Sequence, residues 1–146
     1  MSVEIKGLDS LRRKLQSLGG DLEHATEKGV EKATKTVQTA AKLLCPVDTG
    51  YLRESIQTSF AWQPSGEYVG TVGTIVEYAP YVEFGTGQMG AAFPSPPKAP
   101  ISLKYKEDWK GQFAQPFLYP ALVDNHARIV KHLEFELRKG IQEAMK

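Results

Sequence analysis

Disulfide stapling is excluded from the outset, because the single cysteine, Cys45, has no partner within the chain. Net charge is equally scarce. The 18 lysines and arginines stand against 17 aspartates and glutamates, leaving a formal charge of +1. No global field therefore draws the chain to nucleic acid or to a membrane surface, and any basic patch has to be local. Long apolar runs are missing too: none approaches the roughly 20 residues that span a bilayer. The opening Met-Ser-Val-Glu-Ile-Lys lacks the charged-then-apolar order of a secretory signal. The expectation is a soluble protein made in a reducing, cytosolic compartment. What remains is 146 residues, enough for one domain over 1–146 with its own core and too few for a second.

The stretch Pro46-Val47-Asp48-Thr49-Gly50-Tyr51-Leu52-Arg53-Glu54-Ser55-Ile56 divides the pattern in two. Before it, Val3-Glu4-Ile5-Lys6 alternates as a short edge strand does. Leu8, Leu11, Leu15 and Leu18 then recur at helical spacing until Gly19-Gly20, which predicts a short amphipathic helix. Asp21 offers an N-cap oxygen for a second helix with the stripe Leu22, Ala25, Val30, Ala33, Val37, Ala40, Ala41 and Leu44, ended by Pro46. It would run about 24 residues, roughly 36 Å. Its alanine-rich stripe lets a neighbour approach closely, and its charged face is either solvated or an interface between subunits.

After the corner, Leu52, Ile56, Phe60 and Trp62 share one parity against polar residues on the other, the mark of a half-buried strand. Pro64-Ser65-Gly66 reads as a turn, and Glu67 to Val76 returns as one strand or two, giving an antiparallel meander. Tyr78 to Gly85 suits a short helix with Pro80 in its first turn and Gly85 at its end. Residues 86–115 carry Gly87, Gly90, Pro94, Pro96, Pro97 and Pro100, which leave little room for helix or central strand. Phe93, Tyr105, Trp109 and Phe113 speak against disorder alone, so a long loop that becomes ordered against a partner is expected. Leu122, Ile129, Leu133, Leu137 and Ile141 then mark a C-terminal helix.

Several stretches carry possible chemistry. Asp48-Thr49-Gly50 matches the aspartic-protease triplet, which needs two copies sharing a proton and hence a homodimer here. Its setting, after a long helix, is unlike the nearly all-β chain that chemistry uses. The other reading has Asp48 or Thr49 accepting backbone hydrogen bonds while Gly50 permits the turn. Gly85-Thr86-Gly87-Gln88-Met89-Gly90 fits G-x-G-x-x-G, but a dinucleotide site needs a helix immediately after it, and the prolines oppose one. Cys45 paired with His24, His126 or His132 would be a thiol and base, against the commoner small buried thiol. His126 and His132 are six apart, not the i, i+4 of a helical metal pair. Lys104, Lys106 and Lys110 with Tyr105 and Trp109 make a basic, aromatic stretch diluted by Glu107 and Asp108.

Three motifs in order are more specific than any alone: Pro46 to Ile56, Tyr78-Ala79-Pro80-Tyr81-Val82-Glu83-Phe84-Gly85-Thr86, and Gln115-Pro116-Phe117-Leu118-Tyr119-Pro120-Ala121-Leu122. With the opening Ile5-Lys6-Gly7-Leu8, this chain resembles, over nearly its whole length, the gene-product-ten-like tail-component family of HK-ninety-seven-type tailed bacteriophages. The resemblance implies a structural virion protein of head-tail joining, the neck or tail completion. It implies a homo-oligomeric ring that meets connector or stopper and tail-tube or tail-terminator proteins. DNA would pass through without sequence-specific binding. Neither catalysis, cofactor, metal nor membrane is implied, and assembly would take place in the host bacterial cytoplasm. The family signature falls on Pro46, Asp48, Thr49, Gly50, Leu52, Arg53 and Ser55, on Tyr81, Glu83, Phe84, Gly85 and Thr86, and on Pro116, Phe117 and Pro120. The loop departs from it, since relatives cross from Gly-Thr to Pro-Phe in about a dozen residues and this chain takes more than twice that.

The fold expected is α+β: a mainly antiparallel sheet packed against a long helix in the N-terminal half and a C-terminal helix, with a long Pro/Gly-rich loop. The competing functional class is a homodimeric protease using Asp48, and a third is a nucleic-acid module whose binding would be salt-sensitive.

Overall fold

Alanine, threonine and glycine on one long helix set the spacing of everything packed on it. The computed structural model describes residues 1–5, 20–98 and 103–144, so the helix expected from Leu8 to Leu18 lies outside the described residues. Helix α1, Gly20–Leu44, is 25 residues long. The described residues resume at Gly20, already within the helix, and the side-chain cap expected of Asp21 lies outside what they describe. Leu22, Ala25, Val30, Ala33, Val37, Ala41 and Cys45 are buried along it, while Leu44 turns out to be exposed.

Pro46 ends this helix, but no strand begins at Leu52. Tyr51–Ser55 is a short helix, α2, and strand β2 occupies only Gln57–Trp62. Leu52 and Ile56 are four apart, a spacing that fits one face of a helix as well as one face of a strand. Both are buried. Within β2 the expected parity holds, with Thr58, Phe60 and Trp62 the less exposed residues. The chain turns at Pro64-Ser65-Gly66, where Gly66 has φ 90°, and returns as β3, Tyr68–Gly73. Strand β1, Ser2–Ile5, pairs with β3 on its other side, so the antiparallel order is β1-β3-β2 and β1 lies at an edge as expected.

The sheet lies on α1 through an approach that only glycine permits. A Cβ on Gly70 would sit 2.0 Å from Thr34 Oγ1, and that hydroxyl is already turned inward to donate to the Val30 carbonyl at 2.7 Å. Two further ties fasten β2 and β3 to the helix: Trp62 Nε1 donates to Glu27 at 2.6 Å, and the Tyr68 hydroxyl donates to Glu31 at 3.0 Å. Burial, with the bond to Glu31 added, pushes the Tyr68 phenol up to about 12.

Ala79–Phe84 forms α3, with Pro80 in its first turn and Gly85 at its end as expected. The glycine-rich stretch does hold a helix, α4, at Gly87–Ala92, because prolines begin only at Pro94 and leave the preceding turn free. The C-terminal pattern is two helices, α5 at Leu118–Val123 and α6 at His126–Ala144. The architecture is α+β, with six helices among the described residues and one three-stranded antiparallel sheet. No helix of the described residues is long and apolar enough to cross a membrane.

Helix α6 packs on α1 beside Gly29, where a Cβ would lie 3.3 Å from Leu133 Cδ2. The same contact buries a carboxylate, Glu136, at 2 % exposure, and Lys32 from α1 forms an ion pair with it. The Lys32 hydrogen bond holds that carboxyl below its ordinary value of 4.5; burial opposes this, and the Lys28 and Lys139 charges assist it. Since the folded value is the lower one, this stabilisation is complete above the unfolded value and is lost as pH falls through the folded one. The stability gap between wild type and Glu136→Gln is thus expected to be largest at neutral pH and to shrink on acidification, as thermal unfolding across pH measures. A gap independent of pH would contradict it.

Candidate functional site

The three motif stretches converge on one buried joint beside the C-terminal end of α1. Helix α5 carries no Ser, Thr, Asp or Asn to cap its start, since Phe117 stands at the N-cap and makes no side-chain capping bond. A helix leaves its first four N–H groups without intrahelical partners. Here Phe117 and Leu118 donate to Glu83 Oε2 at 2.8 and 3.0 Å, and Tyr119 donates to Oε1 at 2.8 Å. Pro120, the fourth position, has no N–H. One carboxylate from α3 thus meets every open donor of α5, and its negative charge sits at the positive end of that helix. Glu83 is 2 % exposed and Phe117 0 %, so the joint is closed to solvent.

The first motif closes the joint from the other side. Gly50 adopts φ 84°, the left-handed geometry that lets the chain leave α1 and enter α2. Thr49 Oγ1 accepts the Tyr51 N–H at 3.3 Å. Of the two candidate backbone holders it is therefore threonine that acts, while Asp48 is exposed. Ser55 Oγ donates to Leu52 O at 2.6 Å and lies 2.6 Å from Thr74 Oγ1, which accepts the Val76 N–H at 3.1 Å. That chain ties α2 to the exit of β3. Gln38 Nε2 from α1 donates to Ile56 O at 2.9 Å and fixes the start of β2.

Cys45 is buried inside this joint. Burial pushes its thiol up, the Arg53 charge pulls it down and the Glu83 charge pushes it up again. Thiolate character is therefore suppressed, opposite to what a nucleophile requires. The Arg53 Nε is buried and makes no hydrogen bond among the described residues.

The second motif continues into the loop. Gly85 has φ 74°, and a Cβ there would lie 2.7 Å from both Ala114 N and Gln112 O. Thr86 pairs with Gln112 through N–H to O bonds of 3.0 and 3.1 Å, Gln88 N donates to Trp109 O at 2.9 Å, and the Tyr105 hydroxyl donates to Phe84 O at 3.0 Å. The two limbs of the loop are bonded to each other. The glycines of the G-x-G-x-x-G match serve these close approaches, and the six-residue α4, which begins inside the match at Gly87, is packed against the returning limb. Tyr81, Trp109 and Phe113 stand exposed around this region. Pro116 precedes the joint and supplies no donor that would need a partner.

The structure brings Arg53, Glu83 and Phe117 together and leaves Asp48 and Tyr81 on the surface. Sequence reasoning missed the roles of Glu83 and Glu136. A signal existed for the first: a helix opening Phe-Leu-Tyr-Pro without a capping side chain must draw its acceptor from elsewhere. For Glu136 there was none, because its partner Lys32 lies in a distant helix. Asp48-Thr49-Gly50 sits between two helices, away from any loop of an all-β lobe.

The class this defines is a small α+β domain whose motif residues hold its own elements together. The sequence matches, over residues 9–85, the family model described as "Bacteriophage HK97-gp10, putative tail-component", and the chain belongs to that family. The match covers just over half of the chain and ends before the third motif, a shorter reach than the motif resemblance had implied. No curated protein and no solved structure matches the chain. A component of a phage tail is a virion protein that works against other phage structural proteins.

Proposed function

We propose that this protein is a structural subunit of head-tail joining or tail completion, assembling as a ring of identical copies in the host cytoplasm. Connector or stopper proteins would meet it on one side and tail-tube or tail-terminator proteins on the other. DNA crosses the assembly without being read, and no turnover is involved.

The observation that supports this most is the combination of family membership with the use of the motif residues. Glu83, Phe117, Thr49 and Ser55 all serve internal bonds or packing, which leaves recognition to surfaces instead of a catalytic constellation. The loop supplies such a surface, since its limbs are bonded together and Trp109 and Phe113 are 50 % and 56 % exposed. Contacts of this kind are individually weak and gain strength from closed symmetry.

Removing residues 94–103 by a short Gly-Ser bridge spares the bonded limbs at Thr86–Gln112 and Gln88–Trp109. The expected result is an intact fold by circular dichroism with accumulation of unjoined heads and tails by electron microscopy. Normal joining by the shortened protein would sink the loop's part in this reading.

A further inference from the structure

One side chain of the first motif has no internal task. The Asp48 carboxylate is exposed and makes no hydrogen bond or ion pair among the described residues. It lines a cavity of about 280 Å³ that opens where the corner 46–52, the start of α3 and Gln115 meet. Apolar and aromatic residues make up most of the remaining wall: Val47, Tyr51, Leu52, Tyr78 and Val82. Val47, Tyr51 and Tyr78 stand exposed at it, and Leu52 is buried behind.

The wall is tied in place before any ligand arrives. Thr49 Oγ1 accepts the Tyr51 N–H, the Val82 N–H donates to Tyr78 O at 3.3 Å, and the Gln115 N–H donates to Val82 O at 2.8 Å. A pocket fixed in this way spares its ligand much of the ordering cost. Asp48 is the one charged residue among those lining the cavity. Between Lys42 and Lys98 the sequence holds a single base, Arg53, and it does not line the cavity; its charge acts on Cys45 inside the joint. Glu54 adds negative charge beside Gly50, its Oε1 lying 4.0 Å from the position of a Cβ there.

Size and charge narrow the occupant. The cavity falls below the roughly 300–1,000 Å³ of small-molecule and cofactor sites. One carboxylate does not supply the six to eight oxygens of a calcium site, and it repels phosphate. An apolar side chain would cover an ionised group without pairing it. An arginine satisfies every part: its methylenes meet Val47, Leu52 and Val82, its planar fork pairs with Asp48, and its charge suits the face of a tyrosine ring. Lysine offers a point charge in place of the fork.

We propose that this cavity receives an arginine side chain presented by another phage tail protein, with Asp48 as its counter-charge. Family membership places the chain among other phage structural proteins, and buried arginine anchors are a common means by which such contacts gain strength. The inference rests on the reading above that the chain works by surface recognition in joining or completion, and it assigns one of the contact points.

Amide chemical-shift titration of the full chain with N-acetyl-arginine amide, N-acetyl-lysine amide and N-acetyl-leucine amide tests the cavity. The arginine probe is expected to bind with a Kd of about 1 mM, the range a fragment of this size reaches, shifting the amides of Thr49, Tyr51 and Gln115. Lysine should bind more weakly and leucine not at all. Asp48→Asn should weaken the arginine probe by at least about 10-fold and leave the unfolding midpoint unchanged, because Asp48 holds nothing within the fold. Absence of shifts at these amides, or shifts that survive Asp48→Asn, would overturn the site. Phage carrying Asp48→Asn should then show at least about 10-fold fewer joined particles by electron microscopy. Normal joining by that variant, where deletion of the whole gene stops it, would overturn the docking role and leave the function standing. Normal joining after deletion of the gene would remove the function, while the titration still reports on the cavity. Self-association of wild type in sedimentation velocity that Asp48→Asn abolishes would make a second copy the occupant and overturn the choice of partner.

Discussion

Replacing Glu83 by Ala is expected to destabilise the protein by about 3–5 kcal/mol, because hydrogen bonds to a charged group contribute about 1.5–3 kcal/mol each and do not add fully. Three amide N–H groups, those of Phe117, Leu118 and Tyr119, lose their acceptor, the first two in a buried place and the third in a partly buried one. Glu83→Gln is expected to recover little, although it keeps the shape. One amide oxygen serves at most the pair of donors on one side, and the –NH₂ group then opposes an N–H on the other. Glu83→Asp is shorter by one methylene and does not span the gap. For a chain of this size, a loss of about 4 kcal/mol lowers the melting temperature by roughly 8–16 °C. Urea unfolding measures the free energy, and amide exchange at residues 117–119 reports the mechanism, since those protons should lose protection first. A loss below about 1 kcal/mol with their protection intact would show that the carboxylate is not the anchor of α5.

Phe117→Ala is expected to cost about 3–5 kcal/mol by removing a fully buried ring and leaving a cavity that neighbours fill only in part. The side chain is 0 % exposed and belongs to the cluster formed by Val37, Ala41, Cys45, Leu52, Ile56 and Leu118. It differs from the Glu83 change in leaving every hydrogen bond of the joint chemically possible. Amide exchange at Leu118 and Tyr119 should therefore fall with global stability, not ahead of it. Residues that share a contact network couple, so the Glu83→Ala/Phe117→Ala double variant is expected to lose less than the sum of the two. Full additivity in urea unfolding would mean that charge and ring act at separate sites.

Much of the fold was legible because the pattern and the environment agreed. The stripe from Leu22 to Ala41 is one-sided at helical spacing and is buried as its spacing predicts. Val3 and Glu4 alternate at an edge, Pro80 and Gly85 bracket α3, and Pro64-Ser65-Gly66 turns the chain. Where two periods coincide the pattern failed: Leu52 and Ile56 satisfy both a strand and one helical turn, and the left-handed Gly50 at the corner resolves them as helix. The helix at Gly87–Ala92 was not foreseen for a related reason. Glycines at 85, 87 and 90 look like breakers, but they stand where two backbones meet too closely for a Cβ.

The candidate site was visible as three recurring stretches but not as a joint. Asp48, the residue with the more familiar chemistry, is exposed, while Glu83 in the second stretch holds the first turn of a helix more than 30 residues away. The sequence alone determined the elements whose cause is local: the long amphipathic helix, its stop at Pro46 and the paired strands, together with a near-neutral net charge. Only the tertiary structure decided which carboxylates are structural, which hydroxyl faces which amide, and that Lys32 of one long helix pairs with Glu136 of another. The division follows from range. Periodicity and turn chemistry act over a few residues, whereas hydrogen-bond satisfaction and the pairing of buried charge depend on which distant segments burial brings together.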